Sequence, residues 1–387
     1  MAHTHGPVLV TPLQDLCLNV VAANFAAKPC IGALPENFLS KVVDSLSIEL
    51  PLELAGSLLE SESYWERRAR ARWNNCETSR HSGSWKQLFF ERNVEDALEQ
   101  FDSTSGDLQS LKRLLCFSKR FVHSLHLQQL PSHLDLAIIL DAMHSGLTSL
   151  SISYGLKNVK MNYERSLFGM KLSDCRSLAK TLEKTEVLTY LDLSNNLLED
   201  DKLRMIASGL LDNHSVTHLD LSHNKIADRG VRALAKLLDG SSAIALLNLC
   251  DNQIHPEGGR SLARAIRNNG ALLWINLRLN RLGDEGGRAI CAALADNTVL
   301  QRLNLSANAI GAQAAEALAT SLYTNDTLRE LDLSCNELGE EGGKQLREAM
   351  EENTGIQRLD LRMAGCAEDE ELAIAEMLRQ HAVLRMT

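Results

Sequence analysis

The sequence has 387 residues, of which 44% are hydrophobic, 23% charged and only 4% aromatic, and its formal net charge at pH 7 is −10. This composition is ordinary for a globular protein, and the negative charge argues against general binding to nucleic acid. No apolar run approaches the roughly 18 residues that a membrane-spanning helix needs, so no transmembrane helix is expected. The nine cysteines are scattered and form no Cys-x-x-Cys pair, which predicts reduced thiols in a cytosolic-type compartment.

The first third of the chain shows helical patterns without a repeat. We expect a flexible N-terminal segment over residues 1–33, followed by an α-helical N-terminal domain over residues 34–110. Pro35 and Pro51 mark two helix starts, and a third helix is expected from Ser84 to Phe101, where apolar residues recur near one face.

Four arginines lie between two tryptophans in the second of these helical segments. One interpretation is a helix with its aromatic edge packed and its arginines solvated. A second is a contact for a protein partner, and a third is a nucleic-acid patch. As candidate partner-binding residues in this segment we take Trp65, Arg68, Arg72 and Trp73.

Two degenerate repeats and an insertion open the next region, a leucine-rich-repeat domain expected over residues 111–387. Degenerate repeats span residues 122–187, with strand patterns beginning at Val122 and Leu147. The next repeat begins at Leu188, 41 residues after Leu147, whereas the regular period is 28. An insertion in an otherwise regular array predicts a functional loop at one edge, with Tyr154, Lys157 and Tyr163 as candidate contacts.

Regular repeats cover residues 188–383. The pattern Leu-x-x-Leu-x-Leu-x-x-Asn begins at Leu188 and returns every 28 residues, at Val216, Ile244, Leu272, Leu300, Leu328 and Ile356; only the last copy lacks the Asn, with Ala364 in its place. Alternate apolar residues of each short strand point inward, and the Asn side chain can satisfy backbone groups at the turn. Helical spacing follows, closed by a second Asn at a position where left-handed backbone is common.

One such unit cannot bury its own apolar face, whereas stacked units can. The predicted fold class is therefore α/β. We expect a leucine-rich-repeat solenoid of the ribonuclease-inhibitor-like type, with 28-residue repeats, parallel strands inside and helices outside, preceded by the small α-helical domain.

The outward-facing strand positions form three columns, which together we call the concave face. The first column places Leu246 and Trp274 where water is expected, with arginines beside them, and this composition is typical of a binding hot spot. Coverage by an N-terminal segment of the same chain and ordinary variable surface are the alternatives. The candidate partner-binding residues on this face are Tyr190, His218, Leu246, Trp274, Arg278, Arg302, Glu330, Arg358 and Arg362.

The sequence holds no phosphate-binding loop, nucleophile elbow or zinc-protease motif, and no paired Cys/His metal spacing. The glycine doublets, such as Gly286-Gly287, recur at the repeat period, which indicates close packing rather than phosphate binding. We therefore predict no catalytic residue, no cofactor and no metal ion, and the protein is not expected to be an enzyme.

Motifs outside the regular repeats resemble a known family. They are Tyr64-Trp65, Arg72-Trp73, the run 83–92 with its Phe89-Phe90 pair, and the insertion around residues 154–164. Together they resemble the fifth-subunit family of the nexin–dynein regulatory complex, the t-complex-associated testis-expressed leucine-rich-repeat proteins. The resemblance covers roughly residues 34–387.

The resemblance implies a non-catalytic scaffold subunit in the axoneme of motile cilia and flagella, which binds other subunits of that complex and helps regulate dynein. Inner-arm dynein and neighbouring axonemal proteins are further candidate partners, while nucleic acid, membranes and homo-oligomers are not expected. Two other readings stay open: a ubiquitin-ligase substrate adaptor with an F-box-like N-terminal domain, and a GTPase activator of the kind that also uses these repeats.

Overall fold

The computed structural model describes residues 12–29, 34–102, 106–130, 134–155, 167–239 and 242–384. The chain divides into two compact units, one formed by residues 1–94 and 120–123 and the other by residues 95–119 and 124–387. This division differs from the boundary predicted after residue 110. The reason lies in one long helix, whose residues from Glu95 onward hydrogen-bond to the first strand of the second unit.

The first unit is helical. Its helices are α1 (Leu13–Ala23), α2 (Glu36–Ser45), α3 (Leu52–Leu58), α4 (Glu62–Arg72) and the part of α5 (Trp85–Glu99) that ends at Val94. Pro35 and Pro51 precede α2 and α3, as predicted. The expectation of a flexible segment over residues 1–33 is wrong for α1, because Leu18 and Ala22 are buried and α1 packs on α2.

The second unit alternates helices with short strands. Its helices after α5 are α6 (Leu108–Ser118), α7 (Leu136–Met143), α8 (Leu172–Leu182), α9 (Asp200–Leu210), α10 (Asp228–Leu238), α11 (Pro256–Asn268), α12 (Gly283–Ala293), α13 (Ala312–Leu322), α14 (Gly339–Glu352) and α15 (Glu368–Leu384). Its strands are β1 (Ser124–Leu130), β2 (Ser149–Tyr154), β3 (Tyr190–Asp192), β4 (His218–Asp220), β5 (Leu246–Asn248), β6 (Trp274–Asn276), β7 (Arg302–Asn304), β8 (Glu330–Asp332) and β9 (Arg358–Asp360). The strands form one parallel sheet in chain order, which confirms the predicted leucine-rich-repeat architecture.

The register of this sheet follows the repeat period. Leu191 of β3 pairs with Leu219 of β4, and each later pair is likewise 28 residues apart. The two degenerate repeats join the same sheet, since Leu125 pairs with Leu150 and Leu150 with Leu191 in spite of the 41-residue step. The inward residues of β1 to β8 are buried, so the apolar core runs through the stacked repeats, and Leu359 of β9 is half-buried.

The Asn after each strand bridges neighbouring repeats, as its position predicts. In Asn252 the amide nitrogen donates to the carbonyl oxygens of Leu221 at 3.0 Å and Leu249 at 3.1 Å, and the amide oxygen accepts from the backbone N–H of Ile226 at 3.0 Å. The same pattern recurs in Asn224, Asn280 and Asn308. Each of these buried amides satisfies backbone groups that no strand partner reaches.

The second Asn of each repeat corrects one expectation. Asn269 and Asn353 follow their helices with extended backbone, at φ −74° and −84°, rather than in the left-handed region. Their side chains explain the choice, because Asn269 donates to the carbonyl oxygen of Leu238 at 2.6 Å and accepts from the N–H of Leu272 at 2.6 Å. The residue therefore connects two repeats instead of reversing the chain.

Helix α5 covers the outer edge of β1. The carboxylate of Glu95 accepts from the N–H of His126 at 2.7 Å, and that of Glu99 accepts from the N–H of Gln128 at 2.6 Å and of Gln129 at 3.2 Å. An edge strand otherwise leaves such N–H groups available to another chain. Two glutamates four residues apart thus close the N-terminal end of the sheet.

Candidate protein-interaction surface

The concave face lies on the solvent side of β3 to β9. Strand pairing places its first column in the predicted order, with each residue directly beside the next: Tyr190, His218, Leu246, Trp274, Arg302, Glu330 and Arg358. Strands this short leave each side chain little freedom to leave its column. The first column is therefore a regular row of side chains whose chemical character changes from strand to strand.

The first four residues of this column are aromatic or apolar. The rings of Tyr190 and His218 lie 6.1 Å apart, while Leu246 and Trp274 are each half-buried. Tyr190 keeps 37% of its surface exposed, and burial of the remainder, together with the nearby Asp192 and Asp220, raises its phenol pKa. The hydroxyl is thus a neutral hydrogen-bond donor at physiological pH, beside apolar area that a partner can cover.

The last three residues of the first column, on β7, β8 and β9, are charged. The guanidinium of Arg302 lies 5.9 Å from the ring centroid of Trp274, within the range of a cation–π contact. Arg278, Arg302, Arg358 and Arg362 are exposed, and Glu330 is half-buried between two of them. An aromatic ring next to exposed arginines combines the residue types that carry most binding energy at protein interfaces.

A cleft of about 620 Å³ forms at this charged end. The strands contribute Trp274, Arg302 and Arg358 to its lining, and α15 contributes Ile374 and Leu378. The sequence identified the strand residues but missed α15, because that helix follows the last regular repeat and its apolar face carries no repeat signal. The first turn of this helix is acidic, from Glu368 to Glu371.

Arg362 and Asp360 form an ion pair at the mouth of the cleft. The guanidinium bonds to both carboxylate oxygens, and hydrogen bonding from Arg362 holds the pKa of Asp360 below its usual range. Asp360 therefore remains charged well below neutral pH. The pair places Arg362, whose side chain is 81% exposed, over the rim of the face.

The second column links the strands to one another. Asn248 donates to the carboxylate of Asp220 at 2.8 Å, and Asn304 donates to that of Asp332 at 2.9 Å. These half-buried bonds between adjacent repeats hold the strand face as one polar ladder. We expect them to keep the first column preorganised for binding.

Trp65 is the first of the predicted partner-binding residues that the structure corrects. Trp65 is fully buried, packs 5.3 Å from both Phe89 and Phe90, and donates from its indole N–H to the carbonyl oxygen of Leu59 at 3.0 Å. A side chain without exposed surface cannot be a partner contact, so that expectation is wrong for Trp65. Its aromatic neighbours instead form the core of the first unit.

Arg68 also serves the fold of the first unit. Its guanidinium donates to the carbonyl oxygen of Leu50 at 2.8 Å and lies 4.9 Å from the ring centroid of Phe89. Arg72 is exposed, stacks 4.9 Å from Trp73 and donates to the side chain of Asn93. Of the four candidates here, Arg72 is exposed and Arg68 and Trp73 are half-buried, whereas Trp65 alone keeps no surface that a partner can contact.

The insertion candidates separate in the same way. Tyr154 is the last residue of β2 and only 2% exposed, so it is a core residue rather than a contact, and burial raises its pKa. Alternate residues of β2 point into the core, and Tyr154 follows Leu150 and Ile152 in this alternation. Lys157 and Tyr163 lie outside the described residues.

Within the described parts of the chain, no group of three or more His, Cys, Asp or Glu side chains is arranged to hold a metal ion. Among the same residues, no helix has the length and apolar character needed to cross a bilayer.

The chain is similar to known proteins in sequence. A family model described as Leucine Rich repeat matches residues 212–235, 274–291, 296–319 and 324–346. A Chlamydomonas reinhardtii protein named dynein regulatory complex subunit 5 is 59% identical over 200 residues, covering 52% of this chain and 51% of that protein. The Mus musculus protein of the same name is 37% identical over 233 residues, covering 53% of this chain and 47% of its own length.

These matches confirm the resemblance to the fifth-subunit family, and the chain spans about half the length of the curated relatives it matches. Among solved structures, leiomodin-1 actin-binding site 2 aligns over 41% of this chain and 91% of its own, at a TM-score of 0.35 and 19% identity. That likeness is too low to bear on function.

Proposed function

We propose that this leucine-rich-repeat chain, a homologue of the proteins named dynein regulatory complex subunit 5, is a non-catalytic scaffold subunit of that complex in the axoneme of motile cilia and flagella. The similarity to the named relatives supports the place in the complex. The concave face supports the role, because it joins a half-buried aromatic and apolar run to a cleft rimmed by arginines. Other subunits of the complex are the proposed partners.

The observation that carries this role is the contact between Trp274 and Arg302 at the centre of the column. A large amphipathic ring, partly covered and flanked by cations, gains free energy when a partner excludes the remaining water. Since the sheet is held by hydrogen bonds between repeats, little ordering is needed before a partner docks. A rigid surface of this kind suits a subunit that holds other proteins in fixed positions.

Retention on axonemes tests the proposed function. A tagged version of the full chain is added to axonemes from Chlamydomonas reinhardtii cells that lack their own subunit 5. We expect it to sediment with the axonemes and to remain there after high-salt extraction of the dyneins, since a scaffold subunit binds the complex rather than the motor.

The same preparation discriminates the alternatives. A chain that leaves with the extracted dyneins, or that never sediments, would contradict the scaffold role. Co-purification with a cullin adaptor in place of axonemal proteins would favour the ubiquitin-ligase reading. Stimulated turnover of a small GTPase by the purified chain would favour the activator reading.

A further inference from the structure

A row of arginines runs across the outer surface of the helices, on elements that the concave face does not use. The row occupies one position of the repeat in five successive helices, α8 to α12: Arg176, Arg204, Arg232, Arg260 and Arg288. Each of these helices packs on the next, so the guanidinium groups follow one another across the surface. Four of these arginines are exposed, and Arg260 is half-buried.

The repeat itself does not require arginine at this position. The next helix, α13, carries Glu316 there, and α14 carries Lys344. Both helices pack against their neighbours in the array, as the arginine-bearing helices do. A residue that faces solvent and tolerates glutamate has no part in the core, so the run of arginines is a property of this surface rather than of the fold.

Further cations stand one helical turn from the row. Lys180, Lys236 and Arg264 are exposed and lie four residues after Arg176, Arg232 and Arg260. Like charges at this spacing repel each other along a helix. The chain as a whole has a net charge of −10, whereas this surface gathers cations, and an acidic partner would relieve their repulsion.

Internal ion pairs neutralise only part of this charge. Arg204 pairs with Asp201 at 3.2 Å, and Arg260 pairs with both Glu257 and Glu285. Arg232 and Arg264, in contrast, form no ion pair with any residue that the structure describes. Two unneutralised guanidinium groups on adjacent helices are therefore available to carboxylates from outside.

A shallow groove of about 490 Å³ lies between these helices. Its lining includes the small residues Ser261, Ala263, Ala289 and Ala292 and the cations Arg232 and Arg264. Glu257 also lines the groove, and its carboxylate is paired with Arg260. Small side chains between two cations suit an extended main chain that carries carboxylates. The described lining contains no aromatic residue on which a base could stack, so a polypeptide fits the groove better than a nucleic acid.

We infer that the arginine row and its groove are a docking site for an acidic polypeptide segment, separate from the concave face. Arginine suits this role because its planar group binds carboxylates through two parallel hydrogen bonds. The docked segment crosses α10, α11 and α12 in extended conformation and places its carboxylates on Arg232 and Arg264. A chain with both surfaces can hold one partner on its strands and another on its helices.

Fluorescence anisotropy with a labelled oligoglutamate peptide tests this site on the full chain. Roughly ten glutamates suffice, because packed helices lie about 8–10 Å apart and an extended chain covers about 3.3 Å per residue. We expect saturable binding that weakens as salt is raised, and about tenfold weaker binding to the Arg232→Glu/Arg264→Glu variant. The matched variant Lys112→Glu/Lys344→Glu changes the net charge equally at exposed helical sites outside the groove, and should bind like the unmodified chain.

Equal loss of binding in the two variants would overturn the site, because it would show that only net charge matters. Unchanged binding in the arginine variant, or binding of a single-stranded oligonucleotide but not of oligoglutamate, would overturn it as well. Melting temperatures serve as the folding control. The arginine variant should melt no lower than the lysine variant, since the exchange removes repulsion between neighbouring cations. The concave face is not altered in either variant, so failure here leaves the proposed function standing.

Discussion

The ladder asparagines hold the array together at the scale of single residues. Asn252 is buried and serves four backbone groups: the carbonyl oxygens of Leu221, Leu249 and Cys250 and the N–H of Ile226. No hydrophobic residue can replace these bonds, because the carbonyl and N–H groups would stay buried without partners. Asn therefore recurs in the sequence because each repeat needs its side chain to satisfy buried backbone groups.

Asn252→Ala should lower the free energy of unfolding by about 2–3 kcal/mol, since it leaves buried backbone groups unpaired. Urea denaturation measures the change. Asn276→Ala is the matched control, because Asn276 lies on the concave face and accepts one bond, from the N–H of Arg278 at 3.1 Å. We expect the control to cost less than about 1 kcal/mol. Similar losses in the two variants would show that burial of the ladder amide is not what matters.

At the scale of elements, helix α5 and strand β1 form the start of the sheet. Glu95 and Glu99 lie one turn apart on α5 and accept from backbone N–H groups spaced along β1. The match between helical and strand spacing lets two carboxylates satisfy the edge. Bonds from charged acceptors of this kind are stronger than those between neutral groups.

Replacement of these carboxylates should open the edge without unfolding the array. In Glu95→Ala/Glu99→Ala, the amides of His126 and Gln128 should exchange hydrogen at least about tenfold faster, because each loses a charge-assisted bond. Exchange at β5 serves as the internal reference, and Glu348→Ala on the exposed face of α14 is the matched control. Equal exchange at β1 in all three proteins would contradict the proposed role of α5.

The elements also show how far sequence reasoning reaches. The strand register and the two degenerate repeats were predictable, because inward leucines alternate with polar residues at a constant period. The positions of Trp65 and Tyr154 were not, since an aromatic residue has the same signature whether it packs inside or contacts a partner. The contribution of α15 to the cleft was likewise hidden, because helical spacing identifies an apolar face but not the surface it meets.

At the scale of the whole molecule, the repeats provide two long surfaces from one period. Strand positions form the concave face and helix positions form the arginine row, and the chemistry of each varies from repeat to repeat while the core remains constant. Such an array binds through residues spread over many repeats. We therefore expect the repeats that depart from the common pattern on each face to determine what the chain binds.

The central claim is that the concave face binds the partner subunits, and axoneme binding of Trp274→Asp/Arg302→Glu tests it most directly. The variant alters two surface residues that touch each other, so we expect the chain to fold and yet fail to sediment with axonemes lacking the endogenous subunit. Tyr323→Asp/Lys344→Glu likewise replaces an aromatic residue by Asp and a cation by Glu, at exposed positions on the helix side, and this control should sediment like the unmodified chain. Full retention of the Trp274→Asp/Arg302→Glu variant after high-salt extraction would contradict the account.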